Sequence, residues 1–188
     1  NKPKVLFTHS YFIPLDPKQA AWNKPYPPLM TIQAAAILRE AGYPVHLFDV
    51  MFEEKAEAIA PMLEQEKPDV LVLFDDGFNY LTKMCLTNMR EAAWSMAQLA
   101  KKAGCIVIAC SSDATDHYQA YLQNGIDFVL PGEGEESLLE LLEHISSDQD
   151  HRQLQGIAYV QNGQVIKQPN RPVMRDLTSL PLPAWDLI

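Results

Sequence analysis

The strongest constraint on the fold is a regular alternation of short apolar, β-type runs with amphipathic helical segments. The five runs are Lys4–Thr8, Pro44–Asp49, Asp69–Phe74, Cys105–Ala109 and Asp127–Leu130. The third run is apolar at nearly every position, which is typical of a parallel strand covered on both faces. With right-handed crossovers, this pattern predicts α/β class: a flavodoxin/Rossmann-like, doubly wound parallel five-stranded sheet in the order 2-1-3-4-5.

Helical patterns lie between and after these runs. They cover about Met30–Ala41, Glu53–Glu66, Leu81–Ala103, Asp113–Asn124 and Glu135–Ile145. The longest carries apolar residues every three or four positions, so one face of that helix is expected to pack on the sheet. Pro61 lies inside the second pattern, and that helix therefore either kinks there or starts anew with the proline in its first turn.

The character of the chain changes near residue 150. Residues 1–150 contain 11 basic and 22 acidic residues, a net charge of −11, whereas residues 151–188 contain 4 and 2, a net charge of +2. Asn162-Gly163 between two short apolar stretches predicts a two-residue β-hairpin, and Pro169–Ile188 is typical of an extended tail. We expect an α/β domain over residues 1–150, followed by a hairpin and linker over residues 151–188.

Composition excludes several classes of protein. Apolar residues make up 47% of the chain and the net charge is −9, which favours a folded domain and argues against nucleic acid as a partner. No apolar run approaches the roughly 18 residues of a membrane span, and the N-terminus shows no signal-peptide pattern. Three cysteines without a Cys-x-x-Cys pair, Cys85, Cys105 and Cys110, fit a cytoplasmic protein.

In sheets of this type, ligands bind beyond the carboxyl ends of the strands. The expected cofactor-binding residues there are His9, Ser10 and Tyr11 after the first strand, Asp76, Phe78 and Asn79 after the third, Ser111, Ser112 and Asp113 after the fourth, and Gly132, Glu133 and Gly134 after the fifth. This mixture of small, aromatic and hydrogen-bonding groups suits a large flat ligand with a polar periphery. A glycine-rich phosphate-binding turn after the first strand is missing, which argues against a dinucleotide or P-loop site.

Two other interpretations of these loops stay open. The glycines and acids of residues 132–136 also suit an ordinary turn that starts a helix, because acids are favoured at a helix N-terminus. Asp113, Asp116 and His117 are also compatible with the acid/base cluster of a small hydrolase or flavin-type enzyme, although no Gly-x-Ser-x-Gly elbow is present.

Several segments together resemble the cobalamin-binding domains attached to radical SAM enzymes. They are Tyr26–Leu29, Leu38–Val45, Lys67–Val70, Gly125–Val129 with Gly132–Glu135, Gly156–Tyr159, and Asp176–Asp186 with its Leu-Pro-x-Pro-Ala-Trp sequence. The resemblance covers nearly the whole chain and follows the family's order of segments.

The resemblance implies a cobalamin at the carboxyl edge of the sheet, held by the residues named above. It also implies that this chain, not catalytic alone, is an excised domain whose partner is a missing C-terminal radical SAM domain. That domain would hold a [4Fe-4S] cluster and S-adenosylmethionine, and many such enzymes are methyltransferases. The cluster motif Cys-x-x-x-Cys-x-x-Cys does not occur in the sequence, so we expect no iron–sulfur ligands here.

The sequence departs from the family at two positions. Asp-x-His-x-x-Gly, the cobalt-ligating motif of many cobalamin proteins, is absent after the first strand, which leaves His9 or His117 as cobalt ligand, or a cobalt without a protein ligand. Ser111-Ser112 stands where the family commonly has Gly-Gly. Added side chains there would narrow the channel for the cofactor's tail, which favours the alternative of a cofactor-free scaffold that shapes substrate access to the barrel.

Overall fold

The computed structural model describes residues 2–76 and 86–188 of the chain. In this part the strands form one seven-stranded sheet. The strands are β1 (Val5–Thr8), β2 (Val45–Leu47), β3 (Val70–Phe74), β4 (Ile106–Cys110), β5 (Phe128–Val129), β6 (Ala158–Gln161) and β7 (Gln164–Lys167).

The order of the sheet is β2-β1-β3-β4-β5-β6-β7. The first five strands are parallel, which confirms the predicted order. The hairpin of β6 and β7 extends the same sheet, because β6 pairs antiparallel with β5 through Phe128–Tyr159 and Val129–Ala158. The sheet therefore has seven strands where the pattern predicted five and a separate hairpin, since β5 alone would leave its edge unpaired.

Helices cover both faces of the sheet. Among the described residues the α-helices are α1 (Pro17–Trp22), α2 (Leu29–Glu40), α3 (Ala60–Glu66), α4 (Leu86–Lys102), α5 (Ser112–Asp116), α6 (Tyr118–Gln123) and α7 (Glu135–Ser146). Helices α2 and α7 pack on one face, with alternate strand residues such as Val70 and Val72. Helices α3 to α6 pack on the other, against Leu71 and Leu73. This period of two along a strand is what a sheet buried on both faces requires.

Two helical predictions are refined by the structure. A 3₁₀ helix (Ala56–Ile59) leads into α3, which has Pro61 in its first turn, so the second of the two alternatives for this proline is confirmed. The helix predicted over residues 113–124 is two helices that meet at His117. In one continuous helix, Asp113 and Tyr121 would lie about 12 Å apart along the axis, whereas the break lets the Tyr121 hydroxyl donate to Asp113 over 2.8 Å.

The predicted stripe of the long helix is described from residue 86 onward, so Leu81 and Cys85 lie outside the described residues. Further 3₁₀ turns are Ile13–Leu15, His151–Gln153, Leu177–Ser179 and Trp185–Leu187. No helix among the described residues has the length and apolar character needed to cross a membrane.

Candidate functional site

Buried polar side chains gather at the carboxyl edge of the parallel strands. We call this edge the rim; it comprises residues 8–16, 75–76, 111–117 and 131–135. The buried polar residues of the rim are Thr8, His9, Ser10, Asp16, Asp75, Asp76, Ser111 and Asp113, and Thr31 and Ser137 are the others in the described part of the chain. Burying polar groups is costly unless they are hydrogen-bonded, so the rim has to be an organised network.

The network spans the switch point of the sheet between β1 and β3, since the chain leaves β1 toward β2 on one side and leaves β3 toward β4 on the other. Asp75, at the end of β3, accepts hydrogen bonds from the Ser10 amide (2.5 Å) and the Ser10 hydroxyl (2.8 Å), at the end of β1. Both residues are buried. Sequence reasoning selected Asp76 for binding, but Asp75 is the residue that joins the two strand ends.

His9 is buried, and both nitrogens of its ring are engaged. Nε2 lies 2.7 Å from Asp49 Oδ1, and Nδ1 accepts the Tyr11 amide over 3.2 Å. Because Nδ1 is the acceptor, Nε2 carries the proton and donates to Asp49. Burial raises the pKa of Asp49, but the hydrogen bonds from His9 Nε2 and the Met51 amide outweigh it, so the pKa is lowered. Asp49 was not predicted, although its place after β2 was a usable signal.

Asp76 caps helix α2 from a different part of the chain. Its Oδ1 accepts the Met30 amide over 2.6 Å, while Pro28, at the N-cap position, supplies no side-chain cap. A carboxylate is also favoured by the partial positive charge of a helix N-terminus. Burial is the largest influence on the pKa of Asp76 and raises it, with a further contribution from Asp75.

Tyr11 and Tyr26 form an aromatic pair beside these carboxylates. Their ring centroids lie 5.6 Å apart, with an interplanar angle of 30°. Burial and the nearby Tyr11, Asp76 and Asp75 raise the pKa of Tyr26 above its ordinary value, so its phenol stays protonated.

Ser111 and Asp113 hold the start of α5. The Ser111 hydroxyl oxygen accepts the Ala114 amide over 2.8 Å, the standard N-cap interaction. Asp113 accepts two hydrogen bonds from Arg90, of 2.8 and 2.7 Å, besides the one from Tyr121. Burial raises the pKa of Asp113, but these bonds and the Arg90 charge outweigh it and lower the pKa. Through these hydrogen bonds Asp113 connects α5 to α4 and α6.

Ser112 and His117 are the more accessible members of this loop. Ser112 is half-buried, and its hydroxyl makes no hydrogen bond within the described residues. The His117 side chain is 48% exposed, and its Nε2 lies 3.9 Å from Asp113 Oδ1. Among the predicted imidazoles, His117 is therefore the one that is open to solvent.

The turn of residues 132–134 completes the rim. Gly132 has a φ of +79°, and its amide donates to Thr115 Oγ1 over 3.0 Å. Apart from its two chain neighbours, no described residue has an atom within 4 Å of the position that a Cβ on Gly132 would take, whereas a Cβ on Gly134 would collide with the Cys110 sulfur. Glu133 Oε2 accepts the Met174 amide over 3.1 Å. Two predicted residues, Phe78 and Asn79, lie outside the described residues.

The structure thus brings the described predicted residues together along one edge of the sheet, yet most of them are hydrogen-bonded to other residues of the chain, such as Asp49, Asp75 and Arg90. Within residues 2–76 and 86–188 no group of three or more His, Cys, Asp or Glu side chains is arranged to hold a metal ion.

Curated proteins with similar sequences are much longer than this chain. An uncharacterized methyltransferase of Pyrococcus horikoshii is 25% identical over 167 residues, which cover 86% of this chain and 34% of the relative. The anaerobic magnesium-protoporphyrin IX monomethyl ester cyclase of Cereibacter sphaeroides is 24% identical over 172 residues, 87% of this chain and 26% of the relative. The chain therefore spans about a quarter to a third of these proteins. No protein-family model matches the sequence.

Solved structures extend the similarity to nearly the full length of the chain. The cobalamin-dependent S-adenosylmethionine radical enzyme OxsB, with aqua-cobalamin and S-adenosylmethionine bound, matches 98% of this chain and 24% of its own, with a TM-score of 0.72 and 18% identity. The radical S-adenosylmethionine methyltransferase TsrM of Kitasatospora setae, with cobalamin and a [4Fe-4S] cluster bound, matches 98% and 31%, with a TM-score of 0.68 and 17% identity. The chain therefore shares its fold, from β1 through the hairpin to the tail, with one segment of the cobalamin-dependent radical SAM enzymes OxsB and TsrM.

Proposed function

We propose that this chain is the cobalamin-binding module of a radical SAM enzyme and supports methyl transfer in the longer protein. Residues 1–150 would form the binding domain, and residues 151–188 would lead to the domain that holds the [4Fe-4S] cluster and S-adenosylmethionine. One observation carries the proposal: a fold match over 98% of the chain to an enzyme solved with cobalamin bound. The methyltransferase among the curated relatives supports the reaction class.

The chemistry of the rim fits a cobalamin. The corrin periphery and the nucleotide tail are rich in amides and hydroxyls, which need hydrogen-bonding groups and space close to the backbone. Gly132 offers that space, because no described residue beyond its chain neighbours comes within 4 Å of the position of a Cβ there. The Ser112 hydroxyl offers a donor that no partner within the described residues uses. When bound, the cofactor supplies a cobalt that carries a methyl group.

The residues of the rim would have different roles in binding cobalamin. We infer that Ser112 and Gly132 border the cofactor, whereas the Tyr11 ring is 5% exposed and packs against Tyr26. Ser10, Ser111 and Asp113 would keep the strand ends and helix starts in place, as their bonds to Asp75, Ala114 and Arg90 suggest. His9 would stay bonded to Asp49 and would not ligate the cobalt, because both its nitrogens are engaged.

Adding hydroxocobalamin to the chain and recording visible spectra after gel filtration tests the proposal. We expect corrin absorbance to co-elute with the protein. Its absence would refute cobalamin binding by the chain and would favour the cofactor-free scaffold.

A matched pair of variants locates the site. Gly132→Leu fills the open space at the rim and should abolish co-elution. Gly163→Leu is the control, since Gly163 also has a positive φ (+76°) and, in the part of the chain that the structure describes, only its chain neighbours come within 4 Å of a Cβ position, but Gly163 lies in the hairpin turn. The two substitutions strain the backbone alike, so equal loss of binding in both would remove Gly132 from the site.

A further inference from the structure

Residues 169–188, which we call the strap, run along the helical face formed by α2 and α7. The strap begins at α7, where the Arg171 guanidinium donates to Ser137 Oγ over 3.2 Å and pairs with Glu140. It then reaches the rim, where the Met174 amide donates to Glu133 Oε2 over 3.1 Å. The first half of the strap is therefore fastened both to the helix and to the turn of residues 132–134.

The second half of the strap is fastened to α2. Gln33 Nε2 donates to the Pro181 carbonyl over 2.8 Å, and the Ala184 amide donates to the Ile32 carbonyl over 3.1 Å. Ala184 is 1% exposed and packs with Ile32 and Ala36. Asp186 accepts two hydrogen bonds from Arg39, of 2.7 and 2.8 Å.

Between these two attachments, the strap crosses a cavity of about 340 Å³. Its lining includes Ile37 and Ala41 of α2, Glu135 and Leu139 of α7, and Met174 and Leu180 of the strap. The middle of the strap does not fill this space. The position of the strap relative to the rim therefore depends on the contacts that hold its two halves.

The turn of residues 132–134 is held from two sides. On the sheet side, Thr115 accepts the Gly132 amide, and Gly134 packs against Cys110. On the strap side, the Met174 amide donates to the Glu133 side chain. The two glycines have no side chains with which to anchor the turn, so a displacement of the strap acts on the turn through Glu133.

We propose that the strap positions the rim, and that Glu133 is a positioning residue that ties the turn to the strap rather than a contact of the cofactor. A domain that follows the strap would then alter the cofactor site through this bond. The consequence for the cofactor rests on the proposed function, whereas the coupling between strap and turn is a property of the chain itself.

Hydrogen–deuterium exchange of the cofactor-free chain tests the coupling. Ala184→Asp places a charge in the buried contact with α2 and should release the far half of the strap. We expect faster amide exchange in peptides covering residues 180–188 and also, through the strap, in peptides covering residues 130–135. Glu64→Ala, an exposed change on α3 at the other face of the sheet, is the control and should change neither.

Arg39→Ala is the milder companion, since it removes an exposed ion pair and leaves the core intact. Faster exchange confined to residues 180–188 in both variants would overturn the coupling. Circular dichroism of each variant would separate release of the strap from general unfolding.

Cobalamin titration tests the role of Glu133. Glu133→Ala loses the acceptor for the Met174 amide and should weaken binding about fivefold, a typical size for coupling between two sites. Glu133→Gln keeps an acceptor oxygen, so this variant should bind cobalamin with wild-type affinity. Equal weakening by both variants would mean that the charge contacts the cofactor and would overturn the positioning role. Failure of the wild-type chain to bind would count against the proposed function alone, because exchange still decides the coupling.

Discussion

The Arg90 guanidinium of helix α4 holds the Asp113 carboxylate of α5 through two hydrogen bonds of 2.8 and 2.7 Å. The Asp113 side chain is 4% exposed and also accepts the Tyr121 hydroxyl, so three elements on one face of the sheet meet at this carboxylate. Asp113 therefore has a structural role at the rim, and its replacement should lower the free energy of unfolding.

Arg90→Ala should destabilise the fold by about 3 kcal/mol, because it leaves a buried carboxylate without its counter-charge. Thermal or urea unfolding measures the change. Lys101→Ala is the control, since it breaks an exposed pair with Asp127 and should cost no more than about 1 kcal/mol. Similar losses in the two variants would show that the Arg90–Asp113 pair contributes no more than a surface pair.

Stability should fall in acid, in part through Asp49 and Asp113. Both have a pKa below the ordinary 3.8 in the folded chain. A lowered folded pKa gives stability that is present above the unfolded pKa and is lost as pH falls through the folded pKa. Asp113→Asn should therefore make the decline of the unfolding free energy below pH 4 shallower. An unchanged slope between pH 4 and 2 would contradict this assignment.

The carboxylate of Asp75 should matter more to the fold than that of Asp76. Asp75→Ala removes the acceptor of two buried hydrogen bonds from Ser10, and leaving buried donors without partners costs about 1–3 kcal/mol each. Asp76→Ala removes a helix cap, worth about 1 kcal/mol, and Asp76→Asn should recover most of that. Chemical denaturation of the three variants gives the order, and a larger loss for Asp76→Ala than for Asp75→Ala would reverse the interpretation.

Much of the fold follows from local patterns, because periodicity identifies strands and helices before any contact is known. Asn162-Gly163 likewise identifies a hairpin from its turn alone. The turn sequence does not indicate to which edge of the sheet the hairpin attaches, because the pairing of Tyr159 with Phe128 joins segments 31 residues apart in the sequence.

The candidate site was likewise predictable only in part. The ends of the strands place His9, Ser10 and Ser111 at the rim, because side chains that follow parallel strands share one edge. The position of Asp49 after β2 marks it as a candidate for the same edge, but which residues pair was not predictable: the bond from His9 to Asp49 spans 40 residues and that from Ser10 to Asp75 spans 65. Such choices depend on side-chain orientation in the assembled sheet, which neither spacing nor composition contains.

His9 should not become a ligand of the cobalt in the complex with cobalamin. Ligation through Nε2 would cost the bond to Asp49, and ligation through Nδ1 would cost the bond from the Tyr11 amide, in both cases at the buried His9 ring. Electron paramagnetic resonance of the cob(II)alamin complex measures this through the splitting from a coordinated nitrogen. Protein labelled with ¹⁵N-histidine should give the same splitting as unlabelled protein. His117→Ala, at the exposed imidazole, shows whether that residue contributes. A splitting that changes with the label and disappears in His9→Asn would establish His9 as the ligand and would require the Asp49 bond to break on binding.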